Sequence, residues 1–269
     1  MSLAGGNVLV TGATGGIGHA IARAFAARGA NLILTGRRAN VLEALAHEVG
    51  GRAIQCDLGN RDELQILAAE AAEAVEAPLD VVVASAALPA SGVLTELTEE
   101  QIDRMLEVNL RAPIALARAV APGMIERRRG HLVFISSLAG KAASPASSMY
   151  SASKFGLRGF ALGLREDLRP HGVGVSVVLP GFISDAGMFA DAGVSLPAGV
   201  RTRTPDQVAS GVMRAIERNR AEVEVAPVAL RLGASFAGIA PQTAAAASRL
   251  MGGDRVASDL AANQLDKRS

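Results

Sequence analysis

The chain has 269 residues, of which 49% are hydrophobic and 3% aromatic, and its 27 basic and 26 acidic side chains leave a formal net charge of +1. A net charge this small gives no electrostatic field that would attract nucleic acid or anionic lipid. We therefore expect no nucleic-acid partner and no membrane attachment. The single cysteine, Cys56, excludes an internal disulfide, and the four scattered histidines predict no metal site. The N-terminus lacks the layout of a secretory signal, which predicts a cytoplasmic protein.

Short β-branched runs alternate along the chain with longer alanine-rich stretches. The runs are typical of buried parallel strands, and they lie at Asn7–Thr11, Asn31–Thr35, Arg52–Cys56, Asp80–Ala84, His131–Ile135, Val173–Leu179 and Glu222–Val225. The first intervening stretches carry apolar residues at helical spacing, namely Ile17, Ile21 and Phe25 before Gly29, then Val41, Leu42, Leu45 and Val49 before Gly50, then Leu64, Leu67, Ala71 and Val75 before Pro78. This order predicts an α/β fold: a single domain with a Rossmann-type doubly wound parallel β-sheet and helices on both faces.

A glycine-rich turn, residues 11–18, connects the first strand to the first helix. Such a turn brings backbone N–H groups and the positive end of a helix to one point, where a pyrophosphate can approach closely. A flexible turn is the alternative, but the placement between strand and helix favours dinucleotide binding. The predicted contacts are Gly12, Thr14, Gly16, Ile17 and Gly18.

The second strand ends in Thr35-Gly36-Arg37-Arg38, where a dinucleotide's adenosine ribose would lie. A carboxylate at this point would bind a ribose 2′-hydroxyl, whereas guanidinium groups suit a 2′-phosphate. Arg37 and Arg38 therefore favour NADP(H) over NAD(H). The alternative is that both arginines are simply solvated at the start of a helix.

Tyr150 and Lys154 open a helix that continues to Leu168. Their spacing of four places them on one helix face, where an ammonium group would favour the phenolate. The pair could act as a general acid and base. The alternative is a tyrosine that packs over the aliphatic part of a lysine.

Taken in order, these motifs resemble the classical short-chain dehydrogenase/reductase family, to about residue 226. Further matches are Asp57-Leu58 after the third strand, Asn109 within Val108-Asn109-Leu110, Ser137 thirteen residues before Tyr150, and Pro180-Gly181 after the sixth strand.

The resemblance implies roles for individual residues. Tyr150 would exchange a proton with the substrate oxygen, Ser137 would hydrogen-bond that oxygen, and Lys154 would lower the tyrosine pKa and hold the nicotinamide ribose. Asn109 would anchor a water that relays protons to Lys154. Further implied cofactor contacts are Asp57, Leu58, Ala84, Pro180, Gly181 and Ile183, together with Tyr150 and Lys154.

The implied function is an NADP(H)-dependent oxidoreductase that interconverts a small-molecule carbonyl and a secondary alcohol, as a homodimer or homotetramer. The alternative is a non-catalytic NADP(H)-sensing or scaffold protein of the same fold. The chain departs from the family's pattern in Ala84-Ser85-Ala86-Ala87, where Asn-Asn-Ala-Gly is usual, in Asp185, where threonine is common, and in Gly15, where many NADP-preferring members carry a basic residue.

Residues 1–226 are expected to form the dinucleotide-binding and catalytic domain, and residues 227–269 a C-terminal helical extension with a polar tail from Gly252. The loop 182–203 is too long for a mere connector. Its apolar residues, Met188, Phe189, Val194 and Leu196, suggest a hydrophobic or bulky substrate. Thr204, Pro205 and Gln207 predict a helix start after the loop. Val228–Ile239 is expected to be an amphipathic helix, as a lid or an oligomer contact rather than a membrane-surface segment.

Overall fold

The computed structural model describes residues 3–73, 78–89, 92–185, 190, 200–250 and 263. Its strands are β1 Asn7–Thr11, β2 Asn31–Gly36, β3 Arg52–Gln55, β4 Val81–Ala84, β5 Gly130–Ile135, β6 Val173–Pro180 and β7 Glu222–Val225. All pair in parallel, in the order β3-β2-β1-β4-β5-β6-β7. The winding reverses between β1 and β4, so the carboxyl ends of these two strands frame the crevice in which such folds bind ligands.

Helices alternate with the strands as predicted. They are α1 Gly16–Ala26, α2 Ala39–Val49, α3 Arg61–Glu73, α4 Glu99–Leu106, α5 Ala112–Glu126, α6 Ser148–Leu168, α7 Pro205–Glu217, α8 Val228–Ile239 and α9 Pro241–Leu250, with a π-helical stretch, Glu107–Arg111, between α4 and α5. Nowhere in the described residues is there a helix long and apolar enough to cross a membrane.

The core consists of two apolar layers, one on each face of the sheet. Alternate residues of β1 point to opposite faces, with Val8 and Val10 in one layer and Leu9 in the other. Helices α1, α2 and α7 cover the first face, and α3, α5 and α6 cover the second. The predicted doubly wound α/β fold is therefore confirmed.

The predicted elements agree closely with the structure. Every predicted strand is present with bounds that differ by at most one residue. Gly50 ends α2 in the left-handed conformation with φ of 65°, and Thr204 and Gln207 form the predicted capping box of α7. The apolar Val75, Met188, Phe189, Val194 and Leu196, and the tail from Gly252 to Asp254, lie outside the described residues.

Candidate active site

Ser137 and Tyr150 meet beyond the carboxyl end of β5. Ser137 is the N-cap of a single 3-10 turn, Leu138–Gly140, and its Oγ accepts a hydrogen bond of 3.1 Å from the Ala139 N–H. Tyr150 lies in the first turn of α6, and its phenol is near enough to the Ser137 side chain for that group to lower the pKa of Tyr150. The structure thus brings together two residues that the sequence separates by thirteen positions.

The first turns of α6 are held directly against β5 and the turn that follows it. The Ser136 hydroxyl donates to the Lys154 carbonyl at 2.9 Å. A side chain at Gly140 would place its Cβ 2.7 Å from the Lys154 carbonyl oxygen, so glycine permits this close approach. Backbone contacts therefore fix the position of α6 relative to the Ser137 turn.

Lys154 is a buried cation. Its side chain reaches under Tyr150, with Nζ 5.6 Å from the ring centroid, and donates a 3.1 Å hydrogen bond to the Ile135 carbonyl. The residue is only 1% exposed, and this desolvation lowers the pKa of its ammonium group to about 8. The group can therefore gain or lose a proton close to neutral pH.

The phenol of Tyr150 experiences two opposing effects. Desolvation raises its pKa above the ordinary value, and the hydrogen bond with Ser137 acts in the opposite direction. The sequence predicts that the neighbouring Lys154 ammonium lowers the Tyr150 pKa. This effect does not dominate in the protein itself, because burial disfavours the phenolate more strongly.

Asn109 lies in the π-helical stretch between α4 and α5. Its side-chain amide is buried and pairs with Leu88 in both directions, accepting from the Leu88 N–H at 2.7 Å and donating to the Leu88 carbonyl at 3.0 Å. The residue four positions later is Pro113, which has no N–H group to offer the Asn109 carbonyl. The side chain thus anchors the segment after β4, and the main-chain carbonyl is the atom suited to hold a water.

The glycine-rich turn forms a cradle at the start of α1. Gly12 has φ of +65°, and a Cβ there would come within 2.6 Å of the Ala86 Cα, while a Cβ at Gly18 would come within 2.7 Å of the Ala13 Cα. Gly15, the N-cap, provides no side-chain hydrogen bond to the helix, and the first turn contains no acidic residue. The first N–H groups of α1, at Gly16, Ile17 and Gly18, are therefore suited to a phosphate group.

The two predicted arginines lie beside this cradle and are exposed. The Arg38 guanidinium donates to the Thr14 carbonyl within the turn, and Arg38 is the N-cap of α2. Arg37 lies near enough to Asp57 to contribute to the lowered pKa of that carboxyl. Both cations are thus located at the crevice and not on a remote surface.

Asp57, after β3, makes a contact that the sequence did not predict. Its Oδ2 accepts from the Arg104 guanidinium at 2.6 Å, and its Oδ1 accepts from the Gly59 N–H at 2.9 Å. Desolvation raises the pKa of this carboxyl, but the Arg104 hydrogen bond and the Gly59 N–H more than offset it, so the net pKa is lowered. Asp57 and the buried Leu58 thus form one fixed wall of the crevice.

The segment after β4 is held without the asparagines that the family usually carries there. The Thr11 hydroxyl accepts from the Ser85 and Ala86 N–H groups at 3.1 and 3.3 Å. Ala84 is buried at the end of β4. The Thr11 hydroxyl on β1 therefore helps to hold the segment after β4 in place, a role for Thr11 that the sequence did not predict.

The opposite wall follows β6. Pro180 ends the strand, the Gly181 N–H donates to the Val225 carbonyl at 3.1 Å, and the buried Ile183 pairs in parallel with Arg203. This pairing brings the two ends of the loop 182–203 together. Asp185 has a φ of +67°, and its Oδ2 accepts from the Ser184 hydroxyl at 3.0 Å.

Known proteins are similar to this chain in both sequence and fold. A family model described as short chain dehydrogenase matches residues 6–194. Ketoacyl reductase HetN from Nostoc sp. is 37% identical over 229 residues, which are 83% of this chain and 79% of that protein. A short-chain dehydrogenase from Sphingobium yanoikuyae in complex with NADPH superimposes with a TM-score of 0.77 at 29% identity, covering 88% of this chain and 95% of that one. A metagenomic short-chain oxidoreductase in complex with NADP gives 0.71 at 34% identity, covering 85% and 99%.

Proposed function

The chain belongs to the short-chain dehydrogenase family and is an oxidoreductase; on that premise, we propose that it interconverts a carbonyl and a secondary alcohol by hydride transfer, with Tyr150 as the general acid and base. The observation that carries the proposal is that the Tyr150 phenol lies beside the Ser137 side chain, with the buried Lys154 Nζ 5.6 Å from the centre of its ring. A protein that only sensed the nucleotide would have no use for this proton-transfer set.

Tyr150 and Ser137 divide the work at the substrate oxygen. In the reductive direction the Tyr150 phenol donates its proton to the carbonyl oxygen, and in the oxidative direction the phenolate takes it back. The Ser137 hydroxyl donates a hydrogen bond to the same oxygen and orients it toward the phenol. Since burial alone raises the tyrosine pKa, the resting group is the protonated phenol, which is the form that reduction requires.

Lys154 and Asn109 would restore the proton that Tyr150 gives up. With a pKa of about 8, the Lys154 ammonium can release a proton near neutral pH. A water on the Asn109 main-chain carbonyl would connect Lys154 with solvent. The pairing of the Asn109 side chain with Leu88 supports this assignment, because it fixes where the carbonyl lies.

The crevice fits a nicotinamide dinucleotide, which when bound supplies or accepts the hydride. The N–H groups of Gly16, Ile17 and Gly18 would hold its pyrophosphate, with Gly12 and Thr14 shaping the turn. Asp57, Leu58 and Ala84 would line the adenosine side, while Lys154, Tyr150, Pro180, Gly181 and Ile183 would line the nicotinamide side. The Sphingobium and metagenomic relatives, described as complexes with NADPH and NADP, support this assignment.

The substrate would be a hydrophobic or bulky small molecule, an assignment supported by the apolar sequence of the loop 182–203 and by the likeness to a ketoacyl reductase. We further expect the protein to act in the cytoplasm as a homodimer or homotetramer.

The first test is turnover against a panel of ketones and secondary alcohols with NADPH or NADP⁺. Wild type should turn over at least one compound, and Tyr150→Phe should lower kcat at least about 10³-fold, since general acid catalysis contributes roughly 10²- to 10⁴-fold. NADPH binding, followed by its fluorescence, should be retained in this variant. Tight NADPH binding by wild type without turnover of any compound would instead support a nucleotide sensor.

The second test concerns the preference for NADP(H), which Arg37 and Arg38 support. Arg37→Ala should weaken NADPH binding about 10-fold, because a charge-assisted hydrogen bond to phosphate contributes about 1.5–3 kcal/mol when buried and less when exposed. NADH binding should change less than about twofold, and Arg52→Ala, at an exposed arginine that begins the neighbouring strand β3, is the matched control. The preference is wrong if wild type binds NADH as tightly as NADPH.

A further inference from the structure

The two carboxylates of the edge strand β7, Glu222 and Glu224, form ion pairs with three cationic side chains that lie on three other elements. Glu222 and Glu224 are two residues apart, so both side chains point to the same face of the sheet. Glu222 accepts from Arg158 at 2.5 and 3.2 Å and lies 3.3 Å from the Lys141 ammonium. Glu224 accepts from the same Lys141 at 2.8 Å and from Arg231 at 2.8 Å.

The cations on Glu222 come from the two segments that carry the reacting groups. Lys141 is the C-cap of the 3-10 turn that begins at Ser137, so one turn of backbone connects the two. Arg158 lies one helical turn beyond Lys154 and two beyond Tyr150, on the same face of α6. One carboxylate therefore joins the Ser137 turn to the Tyr150 helix.

These ion pairs are sheltered enough to hold their geometry. The side chains of Lys141, Glu222 and Arg158 are 14%, 25% and 28% exposed, so solvent and salt screen them less than an ordinary surface pair. Desolvation raises the pKa of Glu222, but its hydrogen bond from Arg158 and the charges of Arg158 and Lys141 more than offset this, and the carboxyl stays ionised at neutral pH. The Arg158 guanidinium binds in the two-pronged geometry that also fixes orientation.

Helix α8 supports the same lysine from the outside. Arg231 of α8 binds the second oxygen of Glu224, and a Cβ at Gly238 of α8 would lie 4.0 Å from the Lys141 carbonyl oxygen. Lys141 is thus held by both carboxylates while α8 packs over its backbone.

We propose that Glu222 is a positioning residue for the reaction, whose carboxylate, through Lys141 and Arg158, sets the separation between the Ser137 hydroxyl and the Tyr150 phenol. Glu222 acts through these two cations rather than on the substrate. The inference rests on the proposed function, because it assigns a purpose to the Ser137–Tyr150 geometry.

The kinetic test is Glu222→Gln, which keeps the size of the side chain but removes its charge. We expect kcat to fall about 10- to 100-fold, since a misplacement of about 1 Å has effects of this size, while KM for the cofactor changes less than about threefold. Glu48→Gln is the matched control, because Glu48 also forms a two-pronged pair, with Arg23 at 2.6 and 3.0 Å, but on the exposed surface of α1 and α2. This control should keep the wild-type kcat.

The spectroscopic test needs no turnover. Tyr150 is the only tyrosine and the chain has no tryptophan, so the absorbance of tyrosinate during a pH titration reports on this residue alone. Because the Ser137 hydrogen bond lowers the Tyr150 pKa, Glu222→Gln should raise that pKa relative to wild type and to Glu48→Gln. Circular dichroism at each pH identifies the range in which the fold persists.

A second set of variants covers the case that Glu222→Gln does not fold. Lys141→Gln and Arg158→Gln each remove one arm of the link, and each should lower kcat; Arg158→Lys, which keeps the charge but not the two-pronged geometry, should recover only part of the loss. The double variant should lose no more than the worse single variant, since both break the same link. Multiplicative losses would overturn the inference.

The two tests separate the two hypotheses. If wild type turns over substrate but Glu222→Gln changes neither kcat nor the Tyr150 pKa, the positioning role is wrong and the proposed function stands. If no substrate is found but the Tyr150 pKa responds as expected, Glu222 sets the geometry of the Ser137–Tyr150 pair, and the proposed function is wrong.

Discussion

The buried ammonium of Lys154 opposes folding while it serves the proposed chemistry. Burial lowers its pKa to about 8 from a value of about 10.4 in an unfolded chain. Between these two values the folded protein binds fewer protons than the unfolded chain, so this residue makes the protein more stable as the pH rises through that range. Below pH 8 the buried Lys154 carries its proton, and its full unfavourable effect on the free energy of folding is present.

Lys154→Met should therefore stabilise the protein at pH 7 while abolishing turnover. We expect a gain of about 2 kcal/mol in the free energy of unfolding, because about 1.4 kcal/mol per pKa unit is partly offset by the lost hydrogen bond to Ile135. Urea unfolding at pH 7 measures the gain, and the same experiment at pH 10 should show a smaller one. A variant less stable than wild type at pH 7 would mean that the hydrogen bond outweighs the charge burial.

How far single residues could be predicted from the sequence depended on their separation along the chain. Ser137, Tyr150 and Lys154 lie within eighteen residues of one another, so their spacing carries the information. The Arg104 partner of Asp57 is 47 positions away, and the contact between Thr11 and Ala86 spans 75. Such contacts depend on the order of strands in the sheet, which no local pattern encodes.

At the scale of single elements, two glycines should respond oppositely to the same substitution. Gly163 lies inside α6, where an added Cβ would meet no neighbouring heavy atom within 4 Å, whereas a Cβ at Gly174 in β6 would lie 2.6 Å from His131 Cε1. Gly163→Ala should stabilise the protein by about 0.5–1 kcal/mol through helix propensity. Gly174→Ala should destabilise it by about 1–3 kcal/mol through overpacking. Thermal unfolding measures both, and equal shifts would contradict the expectation.

The region between β4 and β5 shows why some elements escaped prediction. The helix α4 has a capping box formed by Thr98 and Gln101, the same signal that identified α7 from Thr204 and Gln207, so its start could have been predicted and was missed. The π-helical stretch around Asn109 has a weaker signal in Pro113, because a missing N–H can also simply end or kink a helix. Strands were easier, since buried parallel strands are continuous β-branched runs.

At the scale of the whole molecule, the chain order predicted the layers but not the arrangement within them. Alternating strands and helices require a parallel sheet covered on both faces, and right-handed crossovers follow from the twist of the strands. The position of each strand in the sheet depends on how its crossover helix packs. The two apolar layers are built from similar aliphatic residues, so residue type does not show to which layer a helix belongs. Composition alone therefore could not rank the possible strand orders.

The stability of the whole fold should fall in mild acid because of His131. Its ring is buried against β6, with Nε2 2.8 Å from the Ser176 hydroxyl, and desolvation followed by the charge of Arg165 lowers its pKa to about 4. From the unfolded value of about 6.5 down to 4 the unfolded chain binds a proton that the folded protein does not, so stability is lost as pH falls through this range, by about 3 kcal/mol in total.

Urea unfolding at pH 7 and pH 5 checks this expectation. His131→Gln should lose less stability than wild type between the two pH values, although it begins from a lower stability because the glutamine packs less well. The control is His47→Gln, the same substitution at an exposed histidine. An unchanged pH dependence in His131→Gln would assign the acid sensitivity to the carboxylates instead.

The ion pairs on β7 also bear on how the molecule behaves in a crowded solution. Both edge strands of the sheet, β3 and β7, are only four residues long, and each carries charge, Arg52 on β3 and Glu222 and Glu224 on β7. Short, charged edges discourage the addition of strands from other chains, which is the usual route from an open sheet to aggregates. In a chain that is 49% hydrophobic, this edge chemistry is expected to help keep newly made copies from joining through their sheets.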